Sequence, residues 1–205
     1  ESAPKRLAIV GAGAVGCEFA DIFNAFGSEV TLIEALPRIL PIEDAECADV
    51  IAKAYKKRGI NVLAGVKVVK ADVKAAEVSI TVEVGGKQET ITADKVLMAA
   101  GRAVNTEAIG LEAVGVKLTD RGFIQVNPAT LETTVKGVYS IGDVAGPPML
   151  AHKGTREGIH VAEVIAGHHP KAIDYSNVPS VTYCHPEVAS IGLTEEQAKE
   201  QKLDY

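Results

Sequence analysis

What this 205-residue chain lacks narrows its function before any motif is read. It has no surplus of positive charge: 21 lysines and arginines stand against 27 aspartates and glutamates, a formal net charge of −6. Nucleic acid is bound through a basic stripe that neutralises phosphates, so that class of partner is set aside. The basic run Lys56-Lys57-Arg58 reads as the solvated end of a helix. No stretch approaches eighteen consecutive apolar residues, so no membrane-spanning helix is expected. Cysteine is scarce, and Cys17, Cys47 and Cys184 are too far apart for a CxxC or CxxxxC redox pair or for a metal-ligand spacing. Cys17 reads as a small buried residue on a closely packed helix, and free thiols fit a reducing compartment. Among the five histidines there is no i, i+4 pair with an acidic partner. His168 and His169 read as an exposed helix-ending loop, and His185, before Pro186, as a packed turn residue. No Ser–His–Asp or paired-carboxylate arrangement can be argued. No catalytic and no metal-ligating residue is therefore assigned.

What is present is the composition of a globular protein, 47% hydrophobic and 23% charged, long enough for one large domain or two small ones. Residues 7–10 form a short apolar run, as expected of a parallel strand covered on both faces. Phe19, Ile22, Phe23 and Phe26 then recur at helical spacing, and Gly27 ends that helix. EVTLIE (29–34) follows as a strand, completing a βαβ unit. Cys47, Val50, Ile51, Ala54 and Tyr55 suggest one face of a second helix, stopped at Gly59, and INVLAG is a third strand. From Val66 to Ile91 the texture changes to alternating residues around a Gly-Gly turn, the pattern of a three-stranded antiparallel meander. KVLMAAG (95–101) reads as another buried strand. Residues 102–136 are rich in turn formers, GVYSIGD (137–143) reads as an apolar strand, and 153–166 as a helix burying Ile159, Ala162 and Ile165 or Ala166. Residues 178–201 read as strand, turn, strand and helix start, with a capping box from Thr194 to Gln197.

The chemistry sits in the first unit. Gly11, Gly13 and Gly16 follow a strand and open a helix, and Glu34 ends the next strand. A lone GxGxxG is weak, but this is the full context of a dinucleotide fingerprint. Gly11 permits the turn, Gly13 lets backbone approach a pyrophosphate, and Gly16 lets the helix pack closely. The helix N-terminus offers unpaired amides and a positive dipole end. Glu34 can accept the ribose hydroxyls and would repel a 2′-phosphate, favouring NAD over NADP. Arg38 is discordant, because an arginine nearby can accept that phosphate; contact with the adenine or pyrophosphate edge, or with solvent alone, are the other readings. Glu18, in the first turns, is accounted for by helix stabilisation. Asp143 stands at the end of an apolar strand, where α/β sheets place ligand-contacting acids, and MLAHK (149–153) leads into a helix.

GAGAVGCEFA, VTLIEALPRILP, MAAGRAVNT, TTVKGVYSIGDVAGPPMLAHKGTREG and VPSVTYCHPEVASIGLTEEQAK together resemble the flavin-dependent pyridine nucleotide–disulfide oxidoreductases, and within them the dihydrolipoamide dehydrogenases. The resemblance covers almost the whole chain in family order. It implies an α/β fold: a Rossmann-like NAD domain with an antiparallel meander over 1–103, the C-terminal half of an FAD domain over 104–173, and the truncated start of an α+β dimerisation domain over 174–205. Carried over residue by residue, Gly11, Ala12, Gly13, Ala14, Val15, Gly16, Cys17, Glu18 and Glu34 would bind NAD, with Val68 and Gly101 lining it. Asp143 would bind the ribityl and phosphate part of FAD. Met149, Leu150, Ala151 and His152 would run along the flavin by main-chain contacts.

The family passes two electrons from dihydrolipoamide through a disulfide and FAD to NAD. The N-terminal FAD fingerprint, the CxxxxC pair and the C-terminal His–Glu pair have no counterpart in these residues, so the chain is expected to be an inactive fragment of such an enzyme. Val104 also replaces the proline usual after Gly-Arg-x, and Cys184 a common threonine. The parent would be a homodimer, serving the dihydrolipoamide-bearing acyltransferase of a 2-oxo acid dehydrogenase complex in the bacterial cytoplasm, with an organelle matrix as the alternative. Two other readings stay open: a stand-alone NAD(H)-binding module, and a related flavin disulfide reductase of the mercuric reductase or NADH oxidase/peroxidase type.

Overall fold

The structure is a computed structural model that describes residues 2–75 and 77–205. The chain folds as two compact units, one formed by residues 1–101 together with 179–205 and the other by 102–178.

In the first unit, strand β1 (Arg6–Val10), helix α1 (Ala14–Ala25), strand β2 (Glu29–Glu34), helix α2 (Ala45–Lys57) and strand β3 (Asn61–Ala64) follow in order. Strands β4 (Lys67–Val73), β5 (Val78–Val84) and β6 (Lys87–Ala93) form the antiparallel meander, and β7 (Lys95–Met98) returns to the parallel sheet. The parallel sheet has the order β3-β2-β1-β7, so the carboxyl ends of β1, β2 and β7 lie along one edge. Its strands are apolar on both faces because both are covered. Leu7, Ile9, Val30 and Leu32 pack with α1, α2 and their loops, while Ala8 and Ile33 pack with Val66, Ile80 and Val82 of the meander side. β7 is an edge strand rather than a buried one: Met98 is exposed.

Of the faces expected for α1 and α2, the structure keeps a part: Phe23 of α1 packs against the core, and Ile51 and Tyr55 of α2 are buried. On α1 the buried residues are Gly16, Cys17, Ala20 and Asp21, whereas Phe19, Ile22 and Phe26 lie at the surface. Close approach of helix to strand decides this: the small residues can reach the sheet and the rings cannot. On α2 the buried stripe is Ala48, Ile51 and Tyr55, and Cys47 and Val50 face out. Tyr55 is fully buried, and its hydroxyl donates to the Cys17 carbonyl at 2.7 Å, joining the two helices.

The C-terminal segment closes against the same helices. Strands β8 (Ser180–Thr182) and β9 (Val188–Ser190) form a hairpin, and the short helix α4 (Glu195–Glu200) carries the capping box of Thr194 and Gln197. Cys184 is buried in the core with Cys17 and Tyr55.

The second unit has little ladder structure. Residues 137–143 are not a strand; only Tyr139 makes a bridge, to Glu132, and Val138 and Ile141 are exposed. An apolar run becomes a strand only where a partner ladder stands beside it, and in this unit isolated bridges take its place. Helix α3 (Ala151–Ile165) starts two residues earlier than the pattern suggested. Its buried face is Lys153, Glu157, His160 and Val161, while Ile159 and Ile165 are exposed. The period was legible, but the buried side is mostly polar.

Candidate functional site

The carboxyl edge of the parallel sheet opens into a cleft of about 520 Å3 lined by Gly11, Gly13, Glu34, Val68 and Gly101, with Leu36, Pro41 and Lys67 on its walls. The fold thus brings together Gly11, Gly13 and Glu34 of the fingerprint with Val68 and Gly101, which the family resemblance assigned to the same cofactor. The three fingerprint glycines do different work. A Cβ on Gly11 would lie 2.5 Å from the Ala99 carbonyl oxygen, at a φ of +99° that side chains rarely adopt. A Cβ on Gly16 would lie 1.9 Å from the Gly11 carbonyl oxygen, so this position holds the helix against the turn. Gly13 is unlike both. Its backbone is ordinary extended chain, φ −71° and ψ −170°, and a Cβ there would meet nothing within 4 Å. Nothing inside the protein requires a glycine at position 13, and the space a side chain there would fill belongs to the cleft side of the turn.

Gly13 is also the N-cap of α1, with no side-chain cap, and the first intrahelical bond runs from Cys17 N to the Gly13 carbonyl at 3.0 Å. The amides of Ala14, Val15 and Gly16 therefore have no intrahelical acceptor. Ala12 and Cys17 are fully buried and their backbone groups are already paired, Ala12 with Glu34 and Leu40 and Cys17 with Gly13 and Tyr55, so the structure places neither on the cleft surface. Burial first, and then the neighbouring Cys184, push the Cys17 thiol up to about 12, which keeps it protonated and inert. Glu34 is buried and has a task that the sequence did not reveal. Its Oε2 accepts from Ala12 N at 2.7 Å and its Oε1 from Leu36 N at 2.9 Å, which ties the glycine turn to the end of β2. Each oxygen retains a lone pair for a hydroxyl.

Two further assignments change. The Glu18 carboxylate accepts from Tyr183 N at 2.9 Å, so in this structure it holds the C-terminal segment. Arg38 contacts neither solvent alone nor the cleft interior: its Nη1 pairs with Glu196 at 2.9 Å and its Nη2 donates to the Glu43 carbonyl at 3.1 Å. One turn after Glu18, Asp21 accepts from Arg58 and from both the backbone N and the Nδ1 of His185. Burial alone would raise the Asp21 carboxyl, but the hydrogen bonds from Arg58 and His185 outweigh it and hold it below the ordinary carboxylate value. The folded form thus favours the charged acid. The stability it contributes is complete above the unfolded value of about 4 and is lost as pH falls through the lower folded value. Thermal melts between pH 7 and pH 3 should show Asp21→Asn losing less on acidification than the wild type; parallel curves would remove Asp21 from the account.

In the second unit, Asp143 is exposed on the 3-10 turn Gly142–Ala145. The turn is gripped by a buried pair that sequence reasoning missed. Lys153 Nζ donates to the carbonyls of Gly142 and Gly146, each at 2.8 Å, and lies 3.1 Å from Glu157 Oε1. All three ammonium donors are thereby used. Glu157 Oε2 accepts from Gly142 N at 2.7 Å, and its Oε1 also accepts from the Tyr175 hydroxyl at 2.8 Å. Burial and this carboxylate push the Tyr175 hydroxyl up. The i, i+4 spacing of Lys153 and Glu157 is visible in the sequence, but it reads as an exposed pair. Leu150, the N-cap of α3, supplies no side-chain cap, and Ala151 and His152 form the first turn instead of preceding it. Among the described residues no group of three His, Cys, Asp or Glu side chains stands together as a metal site, and no helix is long and apolar enough to cross a membrane.

The family model described as pyridine nucleotide-disulphide oxidoreductase matches residues 1–158. The chain belongs to that family. Its dimerisation-domain model matches residues 178–205, the segment that α1 holds through Glu18 and Asp21. Dihydrolipoyl dehydrogenase of Thermus scotoductus is 50% identical over 201 residues, covering 97% of this chain and 43% of that protein. The Rhizobium etli enzyme of the same name is 47% identical over 208 residues, covering 100% and 42%. Among solved structures, the HOCl-induced flavoprotein disulfide reductase RclA of Escherichia coli superposes with a TM-score of 0.87 at 31% identity, over 97% of this chain and 45% of that one. LpdA of Mycobacterium tuberculosis gives 0.88 at 26% identity, over 98% and 43%. This member of the oxidoreductase family thus spans less than half the length of the relatives it matches.

Proposed function

We propose that the chain is the NAD-binding part, with a portion of the FAD-binding part, of a dihydrolipoamide dehydrogenase. The observation that carries this is the cleft, where Gly13 leaves room that no internal packing demands and Glu34 stands at the end of β2. In this reading residues 1–103 are the NAD domain, 104–173 half of an FAD domain, and 174–205 the opening of a dimerisation domain. The whole enzyme would be a homodimer in the bacterial cytoplasm, taking electrons from the dihydrolipoamide of an acyltransferase.

NAD supplies a hydride acceptor and FAD a two-electron carrier when bound. The residues of this chain supply binding and orientation. The amides of Ala14, Val15 and Gly16 meet a pyrophosphate at the positive end of α1. Glu34 accepts ribose hydroxyls with its remaining lone pairs and rejects a 2′-phosphate by charge, while Val68 and Gly101 close the cleft around the dinucleotide. Asp143, on its clamped turn, accepts from flavin hydroxyls. Met149 and Leu150, leading into α3, and Ala151 and His152 of its uncapped first turn would run along the flavin, where the helix N-terminus would favour gathering negative charge.

The test is a fluorescence titration. The 205-residue chain is expected to bind NADH at least about tenfold more tightly than NADPH, given the price of a carboxylate beside a 2′-phosphate. Glu34→Arg should narrow or reverse that ratio. It should also lower the melting temperature, because Ala12 N and Leu36 N lose their acceptors. Equal affinities in the wild type would sink the role given to Glu34.

A further inference from the structure

Within the cleft reading, two residues pull the choice of dinucleotide in opposite directions. Glu34 disfavours a 2′-phosphate, whereas an arginine four residues later would welcome one, because a guanidinium presents a fork that matches phosphate oxygens. The structure shows how the second is restrained. Arg38 stands on the loop after β2, and its Nη2 lies 3.4 Å from the carbonyl of Pro41, a residue of the cleft wall. The guanidinium thus stands beside a residue of the cleft wall without lining the cleft, and its Nη2 also donates to the Glu43 carbonyl at 3.1 Å. Its Nη1 is held instead at 2.9 Å by Glu196, a residue 158 positions away in sequence. Arg38 Nε and Glu196 Oε2 are both shielded from solvent at this junction.

Glu196 is itself held in place by contacts that do not involve the cleft. It lies in the first turn of α4, whose start is fixed by the Thr194–Gln197 capping box. The next backbone amide, Glu195 N, donates to Asp44 Oδ2 at 3.0 Å, docking this helix start onto the N-cap of α2.

We propose that Glu196 is a specificity-determining residue for the dinucleotide: it keeps Arg38 off the ribose end of the cleft and so protects the preference that Glu34 sets. The inference rests on the NAD reading. Among the described residues the cation that lines the cleft, Lys67, is a flexible point charge without the bidentate fork of arginine. The C-terminal segment thus contributes to a site to which it lends no lining residue.

The experiment is a titration of NADH and NADPH against the 205-residue chain and three variants. Glu196→Ala should tighten NADPH by about two- to fivefold, the upper part of the range of one partly exposed charge pair, and leave NADH unchanged within error. The gain should shrink as salt is raised. In Glu196→Ala combined with Arg38→Met it should vanish, because no guanidinium is left to release. Glu195→Ala, whose side chain pairs with Lys199 at 2.9 Å, should behave as wild type. Retained NADH binding reports that each variant is folded. NADH binding as in wild type with no NADPH gain in Glu196→Ala overturns the inference alone, as does a gain that survives loss of Arg38. A wild-type chain that binds neither dinucleotide overturns the NAD reading with it.

Discussion

Gly13→Val is expected to abolish NADH binding while the chain stays folded, and Gly16→Ala to unfold or loosen the domain. The two positions are three residues apart in one motif, yet the structure separates them. At Gly13 the backbone is open to any residue, and an added Cβ meets no protein atom within 4 Å. The folding cost is that of a poorer N-cap, about 1 kcal/mol or less. A branched side chain there would occupy the space in front of the first-turn amides. Losing two charge-assisted hydrogen bonds to a pyrophosphate weakens binding by about a hundredfold or more. At Gly16 the new Cβ would lie 1.9 Å from the Gly11 carbonyl oxygen, so α1 must move off the turn. Overpacking of this kind costs about 1–3 kcal/mol, and more where backbone is the obstacle. Urea melts and NADH titrations on both variants decide the matter. A Gly13→Val chain that binds NADH normally would remove the cleft as the dinucleotide site.

The second large effect lies in the other unit. Lys153→Met should lower stability by about 3–5 kcal/mol, because it leaves the Glu157 carboxylate buried without its cation. The pair has a side-chain exposure of 1% and 2%, so water cannot take the place of the lost ammonium. For a chain of this size that is a fall in melting temperature on the order of 10 °C. The double variant Lys153→Met with Glu157→Leu should recover only part of the loss. Uniform apolar replacement removes the stranded charge, but the Gly142 amide and the Gly142 and Gly146 carbonyls then lack the partners they have now. Calorimetry reads the stability, and amide shifts of Gly142 and Gly146 read the turn. A single variant within 1 kcal/mol of wild type would show that the pair is not holding the turn of Asp143.

Both effects bear on how far the residues could be read. The βαβ unit, the meander and the capping box follow from periodicity and turn chemistry, and they stand in the structure where the pattern put them. The helical faces do so only in part: Ile51 and Tyr55 of α2 are buried as the pattern put them, but other stripes are not. On α1 the apolar stripe of Phe19, Ile22 and Phe26 is the strongest local signal, yet the buried side is Gly16, Cys17 and Ala20. On α3, Ile159 and Ile165 mark one side, and Lys153 and Glu157 are buried on another. A moment computed along a helix cannot know how near the neighbouring backbone will come, or that buried carbonyls will need a cation.

From the order of residues alone came the chemistry: a glycine turn before a helix, an acid ending the next strand, and a family likeness that spans nearly every residue. These are local in sequence, because a phosphate-binding turn needs its glycines within six positions. The tertiary structure alone decided which glycine faces open space, which backbone amides Glu34 holds, and which acid pairs with Arg38. Each of those depends on atoms brought together from distant parts of the chain: 22 residues apart for Ala12 and Glu34, and 158 for Arg38 and Glu196. Contacts at that separation leave no period or spacing in the sequence, since folding alone sets their distance.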